Sequence, residues 1–315
     1  MNDRLIITVP CFNEEAALPE TCAQLSGLLA DMIASGQVAD SSRILFVNDG
    51  SRDKTWELIA RYNAENPYVC GLNLAGNVGH QNALLAGLET AKEIGEIIVS
   101  IDADLQDDIH VIPEMVDKYQ NGAEIVYGVR KDRKTDTWFK RTTAQLFYKL
   151  MSRLGVKSVY NHADFRLMSR RAVQQLCGFK ERNLFLRGIV PLLGYCSDFV
   201  YYERKERVAG ESKYPLRKMA GLAVEGITSF SVMPVHALFW TGVLFILAAI
   251  IILIYVLISL LRGVSVSGWA SLMLSVWFIG GCIMLGLGII GEYLGKVYIE
   301  VKERPRFIIE QTLLK

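Results

Sequence analysis

Charge is missing from two long stretches of this 315-residue chain. No Asp, Glu, Lys or Arg occurs from Val235 to Leu261 or from Trp269 to Gly291. Each stretch exceeds the roughly 20 residues that a helix needs to cross a bilayer core, and a soluble helix of that length normally shows a polar face. Two membrane spans are therefore expected, over 234–262 and 268–291. The link from Arg262 to Gly268 is long enough only for a tight hairpin, so both ends of the chain fall on one side. Arg204, Lys205, Arg207, Lys213, Arg217 and Lys218 precede the first span, and Lys296, Lys302, Arg304 and Arg306 follow the second. The link holds only Arg262, and this excess of outer basic residues puts the large N-terminal part and both termini in the cytoplasm.

Other absences narrow the chemistry. The six cysteines (Cys11, Cys22, Cys70, Cys177, Cys196, Cys282) form no C-x-x-C and no paired spacing, and the four histidines are scattered. A disulfide framework and a metal site of nitrogen or sulfur are thereby excluded. Met1-Asn2-Asp3-Arg4 leads straight into a strand, without the apolar region of a signal peptide. There is no internal repeat, low-complexity tract or flexible linker. The net charge of +1 averages two unlike halves and says little. No nucleic-acid partner is expected.

What is present is a strict alternation. Apolar runs at Leu5–Val9, Ile44–Val47, Val69–Leu74, Ile97–Ile101 and Ile125–Tyr127 are separated by helix-length segments, Glu14–Ser35, Lys54–Glu65, Gln81–Ile94 and Val111–Tyr119. Such alternation predicts a mostly parallel sheet covered on both faces, with ligands beyond the carboxyl ends of its strands. Polar clusters fall at those ends: Asn13-Glu14-Glu15, Asn48-Asp49-Gly50-Ser51, Asn77-Val78-Gly79-His80 and Asp102-Ala103-Asp104-Leu105-Gln106-Asp107. Singly each is a turn or a helix cap; together they outline one rim. In the last cluster residues two apart share one side of an extended chain, so Asp102, Asp104 and Gln106 can face one crevice. Oxygen donors of this kind suit Mg²⁺ or Mn²⁺. Further on, Thr137–Leu154 reads as a helix, and Ala163–Ser169 and Ser197–Arg204 read as strands. Leu216, Met219, Ala220, Ala223, Ile227 and Phe230 recur at helical spacing beside Arg217 and Lys218. That pattern over 214–233 fits a helix lying in the membrane interface, or an amphipathic helix packed on the globular part.

The ordered set Val9-Pro10-Cys11-Phe12-Asn13-Glu14-Glu15, Val47-Asn48-Asp49-Gly50-Ser51-Arg52-Asp53, Asp102-Ala103-Asp104-Leu105-Gln106, Gly128-Val129-Arg130, Asp164-Phe165-Arg166 and Ala209-Gly210-Glu211-Ser212-Lys213 resembles one family. It is similar to the inverting family 2 glycosyltransferases that load a sugar onto a polyisoprenyl phosphate, the undecaprenyl-phosphate glucosyltransferases and dolichol-phosphate mannose synthases. The two spans, followed by Gly291-Glu292-Tyr293-Leu294-Gly295-Lys296, look like the bacterial branch. The resemblance implies an α/β fold in which a GT-A, Rossmann-like cytoplasmic domain (1–213) precedes the interfacial helix, the transmembrane hairpin and a cytoplasmic juxtamembrane tail (292–315). It implies that Pro10, Phe12, Glu14, Val47, Asp49, Asp102, Ala103, Asp104 and Arg130 bind the nucleotide sugar. Asp104 and Gln106 would hold Mg²⁺ or Mn²⁺, and Arg130, Arg207 and Lys213 would contact phosphates of donor or lipid acceptor. Asp104 and Asp164 are nominated as catalytic.

Alternatives stay open at single residues. Asp164 is a base, a positioning group, or a salt-bridge partner of Arg166 or a neighbouring arginine; Arg207 and Lys213 also suit lipid headgroups. Two departures from the family pattern concern substrate details. Phe12 stands where relatives often carry Tyr, and Asp107-Asp108-Ile109-His110 stands where Asp-Pro often follows the acidic motif. The implied reaction moves a monosaccharide, from UDP-glucose or UDP-N-acetylglucosamine, to a polyprenyl phosphate such as undecaprenyl phosphate, with inversion. GDP-mannose is the alternative donor. A processive polysaccharide synthase is disfavoured because no Arg-Trp pair occurs, and a non-catalytic sugar-nucleotide scaffold because the metal ligands are present. The likeness further implies a bacterial inner-membrane location, a homo-oligomer with a tetramer as one form, and a downstream flippase and glycan glycosyltransferase.

Overall fold

The computed structural model of the chain describes residues 3–130, 162–181, 186–203 and 268–315, with part of 235–262. Strand and helix alternate from the start: β1 (Leu5–Cys11), α1 (Leu18–Ala34), β2 (Arg43–Asn48), α2 (Thr55–Glu65), β3 (Val69–Leu74), α3 (His80–Ile94), β4 (Ile97–Ser100), α4 (Ile112–Gln120) and β5 (Ile125–Arg130). There follow β6 (His162–Ser169), α5 (Arg170–Gly178), the one-turn α6 (Leu186–Ile189), β7 (Ser197–Tyr202), the long α7 (Trp269–Val301) and β8 (Ile309–Leu313).

The apolar runs become strands buried along their whole length because helices cover both faces of the sheet. On α1, Leu18, Cys22, Leu25, Leu29 and Met32 recur at helical spacing and all face the core. Each fully buried leucine there contributes about 1.5–3 kcal/mol, more than the tenths that separate helix propensities, so burial decides the element. Helix α3 lies close over β1 and β2 because Gly87 has no side chain: a Cβ there would meet Thr8 Cγ2 at 2.3 Å and Val47 Cγ2 at 2.8 Å.

The sheet order is β7-β5-β6-β4-β1-β2-β3-β8. Strands β3, β2, β1 and β4 are parallel, as the alternation predicts, so their carboxyl-end loops share one edge. Two strands depart from that expectation. Strand β6 inserts antiparallel between β4 and β5, and β8 pairs antiparallel with β3 at the far edge. The fold class is otherwise the expected GT-A-like α/β arrangement with a mostly parallel sheet.

The segment after Gly291 holds a helix end and a strand. Helix α7 runs on through Glu292, Lys296 and Glu300 to Val301, since these are good helix formers and no proline intervenes before Pro305. Glu303 takes a left-handed φ of 44°, the conformation that commonly closes a helix. The chain then enters the sheet as β8, where Asn73 Nδ2 donates to Glu310 Oε2 at 2.8 Å and Ala75 N–H to the Ile308 carbonyl at 2.9 Å.

The described residues from Asp3 to Glu203, with Arg304–Lys315, form one compact unit; the described residues from Val235 to Glu303 form the other. In the second unit, Phe278–Val301 is long and apolar enough to cross a membrane, the one such helix among the described residues. The described residues from Val235 to Leu261 are helical as well. Phe245 packs edge-on against Phe278, with ring centroids 5.6 Å apart, and Leu238 packs over Gly286. The expected helix Thr137–Leu154 and the expected interfacial helix lie outside the described residues.

Candidate active site

Loops after β1, β2 and β3 are joined by hydrogen bonds between backbone and side chains. The Asn13 N–H donates to Ser51 Oγ (3.0 Å) while Asn13 Oδ1 accepts from the Arg52 N–H (2.9 Å). Thr55 Oγ1 accepts from the Glu14 N–H (2.9 Å), Asp53 Oδ2 from the Glu15 N–H (3.1 Å), and Glu15 Oε2 from the Lys54 N–H (3.0 Å). Asn13 sits at φ 55°, a left-handed conformation that an asparagine tolerates because its short amide bonds locally. This frame leaves Phe12 44% exposed at the strand end, while Pro10 and Val47 are buried beneath.

Asp49 joins the third loop to the second. Its carboxylate accepts from the Val78 N–H (2.7 Å), the Gly79 N–H (3.1 Å) and Asn77 Nδ2 (3.1 Å). Burial raises its pKa, and the two backbone donors only partly offset that. Gly50, at φ 61°, must be glycine: a Cβ there would lie 2.5 Å from the backbone of Gly76 and Asn77. Asp49, expected at the nucleoside, is thus also what shapes the wall beside it.

The acidic loop after β4 is anchored at three points. Thr21 Oγ1 on α1 donates to the Ala103 carbonyl at 2.7 Å. Leu105 buries its side chain although its backbone is left-handed, at φ 51°, and the Gln106 N–H turns back onto Asp104 Oδ1 at 3.2 Å. Asp107 is buried and accepts from Tyr202 Oη at 2.6 Å and from Arg130 Nη2 at 3.0 Å and Nε at 3.3 Å. Burial works against the Arg130 charge, but Asp107 and Tyr202 outweigh it and the guanidinium is held above its ordinary value. Asp107, to which the sequence assigned no role, is therefore the pin between the acidic loop and strands β5 and β7.

Strand register brings the second carboxylate. On β4 and β6, Ile97 pairs with Ser169 and Ser100 with Arg166, so the same register carried two residues further sets Asp102 opposite Asp164. His80, at the start of α3, lies between them, its Nε2 3.5 Å from Asp102 Oδ1 and 3.9 Å from Asp164 Oδ2. Burial first, then the Asp164, Asp107 and Asp104 charges, push Asp102 up to about 6, with His80 opposing.

Asp164 is clamped by two arginines. Arg166 Nη2 reaches Oδ1 at 2.7 Å; Arg187 meets Oδ1 through Nε at 3.2 Å and Oδ2 through Nη2 at 2.9 Å. Burial alone would raise this carboxyl, but Arg187, Arg166 and His80 hold it well below the usual carboxylate range. Of the readings open for Asp164, the salt bridge is present, and to both Arg166 and a second arginine that the sequence gave no reason to single out. Arg187 lies alone in Leu184-Phe185-Leu186-Arg187-Gly188, and only the tertiary fold shows its partner.

The structure thus brings Asp102, Asp104, Gln106, Asp164 and Arg130 around the carboxyl end of β4. Arg207 and Lys213 lie outside the described residues. Among the described residues no three His, Cys, Asp or Glu side chains form a cage for an ion. The oxygen donors of Asp104 and Gln106 within one tight turn still fit Mg²⁺ or Mn²⁺, which is commonly held by one or two carboxylates plus substrate phosphates.

The family description Glycosyl transferase family 2 matches residues 6–177, a span that holds this rim except for Arg187 and Tyr202. The chain is 55% identical over 310 residues to the uncharacterized glycosyltransferase YkoT of Bacillus subtilis (strain 168), covering 98% of this chain and 92% of that protein. It is 40% identical over 316 residues to the SfII prophage-derived bactoprenol glucosyl transferase of Shigella flexneri, covering 98% of each. Among solved structures, glucosyl-3-phosphoglycerate synthase from Mycobacterium tuberculosis aligns at 17% identity and a TM-score of 0.48, over 72% of this chain and 79% of that one.

Proposed function

The chain belongs to glycosyl transferase family 2, and from that premise we propose that it moves glucose from UDP-glucose to a polyprenyl phosphate at a membrane surface. The observation that carries this reading is the 40% identity to a bactoprenol glucosyl transferase, which extends over 98% of the chain and so includes its apolar helices as well as its rim. Contacts between Phe245 and Phe278 and between Leu238 and Gly286 support a two-helix hairpin that anchors the protein.

The residues suit the chemistry. Phe12, exposed beside Pro10, offers an aromatic face to the base. An acceptor phosphate monoester has a second pKa of about 6 and is largely dianionic at neutral pH, so no strong base is needed. Its oxygen attacks the anomeric carbon as the bond to the nucleotide diphosphate breaks, with the electron pair leaving on the diphosphate and the configuration inverted. A divalent ion held by Asp104 and Gln106 would supply positive charge to that leaving group. Asp164, ionised and clamped by Arg166 and Arg187, suits positioning better than proton removal.

The test is a panel: purified protein in detergent, undecaprenyl phosphate, Mg²⁺, and radiolabelled UDP-glucose, UDP-N-acetylglucosamine or GDP-mannose. Label enters the lipid from UDP-glucose under this proposal. Label from GDP-mannose alone, or from none of the three, overturns it.

A further inference from the structure

Arg187 is held in place from several sides. Helix α6 is sunk into the core by Leu186 and Ile189, both buried. The Leu186 N–H donates to Gln81 Oε1 on α3 at 2.9 Å, and its carbonyl faces Arg166 Nη1 at 3.5 Å. The Arg187 side chain is then fixed along one edge by both oxygens of Asp164, yet stays 42% exposed. His80, 46% exposed, stands on the other side of Asp164 and leads to Asp102 and the acidic loop.

A planar guanidinium locked by a carboxylate has lost little freedom still to be lost when it binds an oxyanion, and arginine matches phosphate geometry. We infer that Arg187 is a phosphate-binding residue of this rim and that Asp164 acts through it, as its positioning residue. The inference rests on the transferase reading, which supplies two phosphate groups, the acceptor monophosphate and the donor diphosphate.

The experiment measures KM for undecaprenyl phosphate and for UDP-glucose in wild type and Arg187→Gln, alongside thermal unfolding. Loss of one charge-assisted hydrogen bond raises one KM by about tenfold or more. A rise for the lipid identifies the acceptor phosphate as the ligand, and a rise for UDP-glucose the donor diphosphate. Both values unchanged, even with kcat reduced, overturn the inference. Equilibrium binding of the same two probes decides the matter where Arg187→Gln is inactive. Arg187→Lys, which keeps the charge without the fork, replaces it where the glutamine variant does not fold, and is expected to weaken the same ligand. Asp164→Asn should weaken that ligand too, and less than additively with Arg187→Gln; a fall in kcat with both affinities kept overturns the positioning role. If wild type puts no label into lipid, the functional reading fails by itself, and UDP-glucose binding by Arg187→Gln still tests the residue.

Discussion

The two sides of the rim are built differently. The loops after β1, β2 and β3 are joined by hydrogen bonds that mostly involve backbone N–H groups, with Asn13, Asp49, Asp53 and Glu15 as acceptors. The other side is joined by charge: Asp107, after β4, with Arg130 on β5, and Asp164 on β6 with Arg166 of the same strand and Arg187 on α6. A wall of backbone bonds fixes shape, which suits the proposed seat for a flat base. A wall of ion pairs gives an electrostatic seat for a group whose charge changes during reaction.

Substitutions on each side should separate shape from charge. The largest effect is expected from Asp107→Ala, which takes from Arg130 and from Tyr202 Oη the buried carboxylate they share. Removing one partner of such a pair costs about 3–5 kcal/mol, so thermal unfolding should shift markedly downward. Asp104→Asn is expected to leave the unfolding temperature alone and to lower transfer by about 10²–10³-fold, the scale of losing one stabiliser of developing charge. Asp49→Ala, on the backbone-bonded side, orphans two amides at about 1–3 kcal/mol and should raise KM for UDP-glucose more than it lowers kcat. The smallest is Leu105→Gly. It relieves a left-handed leucine worth about 1–2 kcal/mol but gives up burial worth about 1.5–3 kcal/mol, so a stability loss near 1 kcal/mol is expected in thermal unfolding.

The same contrast explains what was legible in the sequence. Strands β1 to β4 and their helices announce themselves by period and apolar run, and their end loops carry Gly, Asn and Asp where turns need them. Asp102 and Asp104 are legible as a pair because their spacing is local, although the chain leaves β4 at Ser100 and turns at Ala103-Asp104 instead of staying extended. The meeting of Asp102 with Asp164 is not, since it depends on β6 entering antiparallel between β4 and β5, a long-range pairing that no window of sequence contains. Arg187 and Asp107 were unassigned for the same reason: each has a partner more than twenty residues away. Strand β8 was missed because Ile309–Leu313 is short and largely exposed, and only the open edge of β3 makes it a strand.

The most direct test of the central claim is metal-dependent transfer itself, read as label passing from UDP-glucose to undecaprenyl phosphate before and after EDTA. The account predicts lipid-bound label that falls by about 100-fold or more on chelation and returns with added Mg²⁺ or Mn²⁺. Lipid labelling that is indifferent to EDTA, or donor turnover that leaves the lipid unlabelled, would contradict it.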